Sequence, residues 1–265
     1  MRVLPRTWLT IDTDDVRHVP SNQGHPTRSN PNPTLPQLSK QFKSGMKGFA
    51  SWMRTHDYPL TLFVIADQCE SEEFVQLMST LCTEFGNRIQ IGCHGLHHRS
   101  WSAWPKDAEA FSRDLSKSVS ILEHHFPQHF KPWFRAPAGY IASWMIPVLV
   151  EHGFVVDSSI NPSWLVSKKY GKGESWKTVQ STVKESKIVE RQWKTRFSLP
   201  TCGPAQHIIG LRWNAKRAWS RLEKPLSIKE IDFVENPKIE LDTIYWHILD
   251  HARKDGTWIP PIRGL

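Results

Sequence analysis

Apolar runs of five to seven residues alternate, over roughly the first 160 positions, with longer segments whose apolar residues recur every three or four places. The run "TWLTI" leads into an acidic cluster, "LTIDTDDV" at 9–16. A Pro-, Asn- and Ser-rich stretch at 19–36 reads as a long loop, of the kind that is often functional in compact domains. A helical pattern follows at about 38–55, then a strand "LTLFVIA" at 60–66, a helix at about 71–85 and a strand "RIQIGC" at 88–93. After "HGLHHRSW" a helix covers about 106–125, "PWFRAP" is a short strand, "SWMIPVLVEHG" is a helix ending in glycine and "FVVDSS" is another strand. The pattern blurs from 160 to 236 and resumes as a strand, "DTIYWHI" at 242–248, with a short helical segment behind it. The order βαβαβαβαβ predicts an α/β fold on a parallel sheet with right-handed crossovers, open or closed into a barrel. With no internal repeat or linker, residues 1–265 read as one domain.

A chain of 265 residues with 39% hydrophobic content has enough apolar material for a full core. "MRVLPRTWLT" has no apolar h-region of a secretory signal, and "WMIPVLV" is far short of the ~20 residues of a membrane span, so the expected location is the cytoplasm. The four cysteines, Cys69, Cys82, Cys93 and Cys202, lack CxxC spacing, which excludes a Cys-rich zinc framework and fits a reducing compartment. The net charge of +8 is uneven: residues 165–230 hold fifteen Lys plus Arg against five Glu and no Asp, and contain Trp176, Trp193, Trp213 and Trp219. Such a segment suits a phosphorylated ligand or peripheral contact with an anionic membrane, or is a solvated face with its Trp in the core. No nucleic-acid motif accompanies the charge, so nucleic acid is not expected as a partner.

In parallel sheets and barrels, reactive groups gather at the carboxyl ends of strands. Five separated strand ends here carry Asp12 and Asp14, His94 and His98, Arg135, Asp157, and His247. His94 and His98 form an H-x3-H pair after a buried strand, and two imidazoles with a carboxylate make a metal site that leaves positions open for water and substrate. His97, between them, is expected to be exposed.

"TIDTDD", "HGLHH", "RAPAG", "VVDSS" and the late "YWH", in this order, resemble the polysaccharide deacetylases with the NodB homology domain. The resemblance covers about 5–160 and the terminal strand. It implies a distorted (β/α) barrel of about seven strands, one divalent metal ion bound by Asp-His-His, and hydrolysis of an N-acyl or O-acyl group on a sugar. Mapped onto this sequence, it makes Asp14, His94 and His98 the metal ligands, zinc first with cobalt, nickel or manganese as alternatives, and Asp12 the base. Asp15 is the fallback ligand, but the period of two in extended backbone puts Asp12 and Asp14 on one side. Arg135 pairs with the base, the Ala138 backbone N–H after Pro137 holds the oxyanion, and His247 is the acid with Asp157 orienting it. His207 is the reserve acid, and His251 is expected in a solvated helical turn.

The motif departs from the common pattern in carrying Ala138 where many relatives have Tyr, with Tyr140 beyond Gly139. Trp101 and Trp104 could stack on a sugar face, although helix initiation and core packing explain them equally well. The expected substrate is a free, nucleotide-linked or lipid-phosphate-linked amino sugar. Two other readings stay open: an amidase of the same superfamily acting on a ring amide or a formylated lipid-linked sugar, and a non-catalytic glycan- or polyanion-binding barrel.

Overall fold

The computed structural model describes residues 5–18, 37–139, 141–166 and 174–262. The expected loop at 19–36, Tyr140 and part of the basic stretch lie outside the described residues.

Seven strands form one sheet: β1 (Arg6–Asp12), β2 (Leu60–Val64), β3 (Ile89–Cys93), β4 (Phe130–Phe134), β5 (Val156–Asp157), β6 (Val189–Glu190) and, last in the chain, β9 (Leu241–His247). Their order is β6-β5-β4-β3-β2-β1-β9, and every pairing is parallel. Between β6 and β9 the chain forms a two-stranded antiparallel ribbon, β7 (Thr195–Arg196) and β8 (Leu199–Pro200). The sheet curls into a half-barrel, and an isolated bridge between Trp193 and Thr243 ties the stretch after β6 to β9 across the opening. β2 and β3 are buried at every position, as expected for central parallel strands, whose two faces are both covered.

The crossovers carry α1 (Lys40–Met53), α2 (Glu72–Phe85), α3 (Ala108–His125) and α4 (Met145–Glu151), and the blurred stretch adds α5 (Trp176–Glu185) and α6 (Leu211–Trp219). Ser39, Ser71, Asp107 and Ser175 cap α1, α2, α3 and α5, each accepting a backbone N–H that would otherwise lack a partner. The main apolar core lies between the sheet and these helices. A second cluster, Trp8, Phe63, Trp133, Val156, Leu226, Ile231 and Val234, fills the inside of the curl. Trp8 meets Phe63 and Trp133 edge-on, with centroids 5.9 and 5.6 Å apart. By the period of two, Thr10 and Asp12 share a side of β1 with Trp8, so the packed floor leads directly to polar groups at the strand ends.

Beyond β9 the chain turns through a short 3₁₀ segment, Ile248–Ala252, against α1. Gly48 permits this approach, since a Cβ there would meet the His251 carbonyl oxygen at 2.7 Å. His251 is therefore not solvated. It is fully buried, accepts the Trp246 indole N–H at its Nε2 (2.9 Å) and packs against Phe49, Trp52 and Trp258. Burial holds its pKa at about 4, below the ordinary 6.5.

The unfolded chain thus binds a proton at this histidine below about pH 6.5 that the folded chain refuses until about pH 4, so its contribution is complete above 6.5 and is lost as pH falls through that window. The loss should approach about 3 kcal/mol. Urea midpoints between pH 7.5 and 4.5 should fall more steeply for the native chain than for His251→Gln, which keeps an acceptor without titrating. Parallel slopes for the two would contradict the assignment.

Candidate active site

The sheet register brings the expected chemistry together before any side chain is considered. Asp12 pairs with His247 on β9 and with Phe63 on β2, while Cys93, just before His94, pairs with Phe134, just before Arg135. Arg135 is fully buried, so its charge needs a partner. Nη1 donates to Asp12 Oδ1 at 2.7 Å, Nη2 to Thr10 Oγ1 and Ser158 Oγ at 2.9 Å each, and Nε to the Ser158 carbonyl at 3.0 Å. The guanidinium also lies 4.1 Å from the Phe63 ring centroid, above the apolar floor.

Beside this pair, Asp14 meets the two histidines. His98 Nε2 is 2.7 Å from Asp14 Oδ1, and His94 Nε2 is 3.7 Å from Asp14 Oδ2. Asp14 Oδ2 is buried without a hydrogen-bond partner. The His94 ring is held at Nδ1 by the Arg135 carbonyl oxygen, 2.8 Å away. That contact assigns the proton to Nδ1 and leaves the Nε2 lone pair facing the carboxylates, as a metal-ligating imidazole requires. Ligand atoms of Asp14, His94 and His98 lie within 4.8 Å of one another, and so do those of Asp12, Asp14 and His247. An orphaned carboxylate oxygen between two imidazoles fits a cation. Burial lowers the pKa of His94 despite Asp12 and Asp14, keeping it neutral. Burial alone would raise the Asp14 carboxyl, but the charge and hydrogen bond of His98, then His94, hold it well below the usual range.

Asp15 is taken by other work. Its carboxylate accepts the Ser39 hydroxyl, the Ser39 N–H (2.9 Å) and the Val16 N–H (2.6 Å), so it anchors the cap of α1.

Asp157 does not reach His247. It lies at the end of β5, with β4, β3, β2 and β1 between it and β9. Its Oδ1 accepts the Ser159 hydroxyl at 2.6 Å, and Ser159 Oγ accepts the Ala136 N–H at 2.8 Å, so Asp157 braces the "RAPAG" loop. Ala138 in that loop has φ +56°, a left-handed conformation that turns the backbone sharply after Pro137. Burial, then the charge of Asp157, pushes Glu190 well above its ordinary pKa; Glu190 carries the proton of this carboxyl pair. Next to His247 stands Asp250 instead, which accepts the His247 backbone N–H at 3.1 Å and lies 2.7 Å from His207 Nε2. The His247 imidazole in turn accepts the Asp250 N–H. Burial opposes ionisation of Asp250, but His207 and His247 hold its pKa at about 2.

Trp101 is buried against Phe111 with the Arg99 guanidinium on its ring at 4.2 Å, and so it cannot face a sugar. Trp104 is exposed. His97 is half-buried, 3.1 Å from Asp67 Oδ2, rather than exposed.

Residues 41–156 match the family model described as polysaccharide deacetylase. Over this part of its length the chain resembles the polysaccharide deacetylases. Among solved structures it is similar to a "putative polysaccharide deacetylase" from Mycobacterium smegmatis, with TM-score 0.56 and 15% identity over 97% of this chain and 84% of that one. It is also similar to 4-alpha-glucanotransferase from Thermococcus litoralis, with TM-score 0.52 and 10% identity over 96% of this chain and 35% of that one. At these identities the likeness is one of fold. No curated protein matches the sequence.

The deacetylase-family resemblance left two neighbours of the site unnoticed. Asp250 follows His247 at the spacing of a helix-capping pair, a purely local signal that could have found it. His18 is buried with its ring 5.5 Å from that of His98, and its place four residues after Asp14 was the only hint.

Replacing Arg135 by Met strands the buried Asp12 charge and should destabilise the fold by about 3–5 kcal/mol. Adding Asp12→Leu should recover part of that loss in denaturant midpoints. A double variant less stable than Arg135→Met alone would contradict the pairing. Asp15→Asn should lower stability by about 1–2 kcal/mol, as a lost cap does.

Proposed function

We propose that this protein is a divalent-metal-dependent hydrolase that removes an N-acyl group, acetyl first, from an amino sugar or its conjugate. The match of residues 41–156 to the polysaccharide deacetylase family model supports the reaction class. The observation that carries the metal is Asp14 Oδ2, buried without a partner between His94 and His98. Asp14, His94 and His98 would hold the ion, zinc in first place. When bound, such an ion supplies Lewis-acid polarisation of the acyl carbonyl and acidifies nearby water.

The remaining roles belong to the chain's own groups. Asp12 takes the proton of the attacking water, and its hydrogen bond from buried Arg135 holds it in place. The Ala138 N–H, turned by the left-handed backbone after Pro137, donates to the oxygen that gains charge as the carbonyl becomes tetrahedral. His247, opposite Asp12 in the register, donates a proton to the departing amine, because an amide nitrogen leaves poorly without one. Asp250 orients that imidazole through the reciprocal contacts at its backbone and ring.

The test combines metal content with acetate release from N-acetylated sugars. Asp14→Asn should lose bound metal, whereas Asp12→Asn should retain it and lose roughly 10²–10⁴-fold in turnover. His247→Ala should retain metal and fail more severely on amides than on aryl acetates, whose leaving group needs no proton. Full metal content in Asp14→Asn would reject the ligand set. Equal losses on amide and aryl ester would reject His247 as the acid.

A further inference from the structure

Among the described residues nine large apolar side chains are exposed, and six of them fall on neighbouring segments of the stretch between β5 and β9. The face is assembled from three pieces of the stretch between β5 and β9. Trp164 and Leu165 form one, and the Trp164 N–H donates to the Ser198 carbonyl at 3.1 Å, joining them to the tip of the β7–β8 ribbon. Phe197 occupies that tip, and the Arg196 guanidinium lies 4.2 Å from its ring centroid and 5.8 Å from that of Trp213 on α6. Ile208 and Ile209 complete the face at the start of α6, where the Ile208 carbonyl accepts the Arg212 N–H at 2.9 Å. Ile209 is 86% exposed, Phe197 75% and Trp213 68%.

Two further observations indicate what covers this face. Phe197 and Ser198 both have φ +53°, the mirror-type two-residue turn that normally takes Asn-Gly. A bulky aromatic held in that conformation and left mostly in water is presented outward, at a conformational cost that packing within the chain does not offset. The chain on either side of it carries one sign of charge: between residues 191 and 222 there are no Asp or Glu and seven Lys plus Arg, of which Arg191 is buried and Lys194 is paired with Asp242. Arg212, Lys216, Arg217 and Arg221 are exposed, while Asn214, Ala215, Ala218 and Trp219 turn inward, so α6 buries its small and apolar side and offers its cations beside Trp213.

We propose that this face docks on an anionic bilayer surface, with Phe197, Ile209 and Trp213 entering the headgroup boundary and the cations meeting lipid phosphates. Aromatic and aliphatic side chains ringed by Lys and Arg are the composition of an interfacial contact. Single-stranded nucleic acid fits less well, because its bases would stack on the aromatic rings and leave Leu165, Ile208 and Ile209 in water. Ile208 directly follows His207, which is 2.7 Å from Asp250, so docking here brings the catalytic rim close to the membrane surface.

The experiment is flotation of the full chain with vesicles of phosphatidylcholine alone or containing roughly one third phosphatidylglycerol, at low and high salt. The chain should float with the anionic vesicles and release as salt rises. Phe197→Ser with Trp213→Ser, the single change Ile209→Ser, and Arg212→Glu with Lys216→Glu should each weaken binding, the paired changes by about tenfold or more, at unchanged melting temperature. The single variant at the most exposed position keeps the test valid should a paired variant misfold. Equal partition to neutral and anionic vesicles, or native-like binding by all three variants, would overturn the proposal. So would self-association that hides the face and is abolished by Ile209→Ser, or tighter binding to a single-stranded oligonucleotide than to vesicles.

Discussion

A guanidinium with no access to water has to be answered by a carboxylate, and the Arg135–Asp12 pair is the constraint around which the rim of this half-barrel is built. Arg135 reaches Asp12 because β4 and β1 curl towards each other over a floor of Trp8, Phe63 and Trp133, and three more of its N–H groups are taken by Thr10 and Ser158. The same residue fixes the neighbouring chemistry through its backbone, since its carbonyl holds His94 Nδ1 and so aims Nε2 at the carboxylates. Removing this one side chain would leave a buried anion unpaired on one strand and loosen a loop on another. Asp157 and Ser159 brace that loop from β5, which accounts for a buried carboxylate on a strand separated by four others from the one that carries His247, which it was expected to orient.

The choice between Asp14 and Asp15 shows what a sequence can reveal. Alternation in extended backbone selects Asp14, and the structure supplies the complementary fact that Asp15 is spent on the cap of α1. The parallel strand order and the terminal strand were legible for the same reason, since buried strands read as apolar runs and place their last residues at one rim. Asp250 was missed because its link to His247 is a local capping contact, with no apolar period to mark it. His251 and Trp101 were misplaced because exposure depends on which element packs over a position: α1 closes over the first and α3, through Phe111, over the second. Neither packing is encoded within a few residues of the side chain it buries.

The basic stretch was illegible as structure because its strands are only two residues long, too short to establish a period. Its tryptophans divide in the fold: Trp193 and Trp219 belong to the core, and Trp213 faces outward among cations. Charge clustering in sequence therefore located a surface, while tertiary packing decided which aromatic residues belong to it. The segment serves both roles at once, since Trp193 also donates to the Ser158 carbonyl behind Arg135 and ties the outer ribbon to the buried pair.

The central claim, that the buried pair and the adjacent Asp14, His94 and His98 form one metal-dependent hydrolytic centre, is tested most directly by anomalous scattering from crystals grown with zinc. The account predicts one strong peak per chain, bounded by an Asp14 oxygen and the Nε2 atoms of His94 and His98, with the Arg135–Asp12 contact intact beside it. A peak ligated by Asp15, or no peak between Asp14 and the two histidines at saturating zinc, would contradict it.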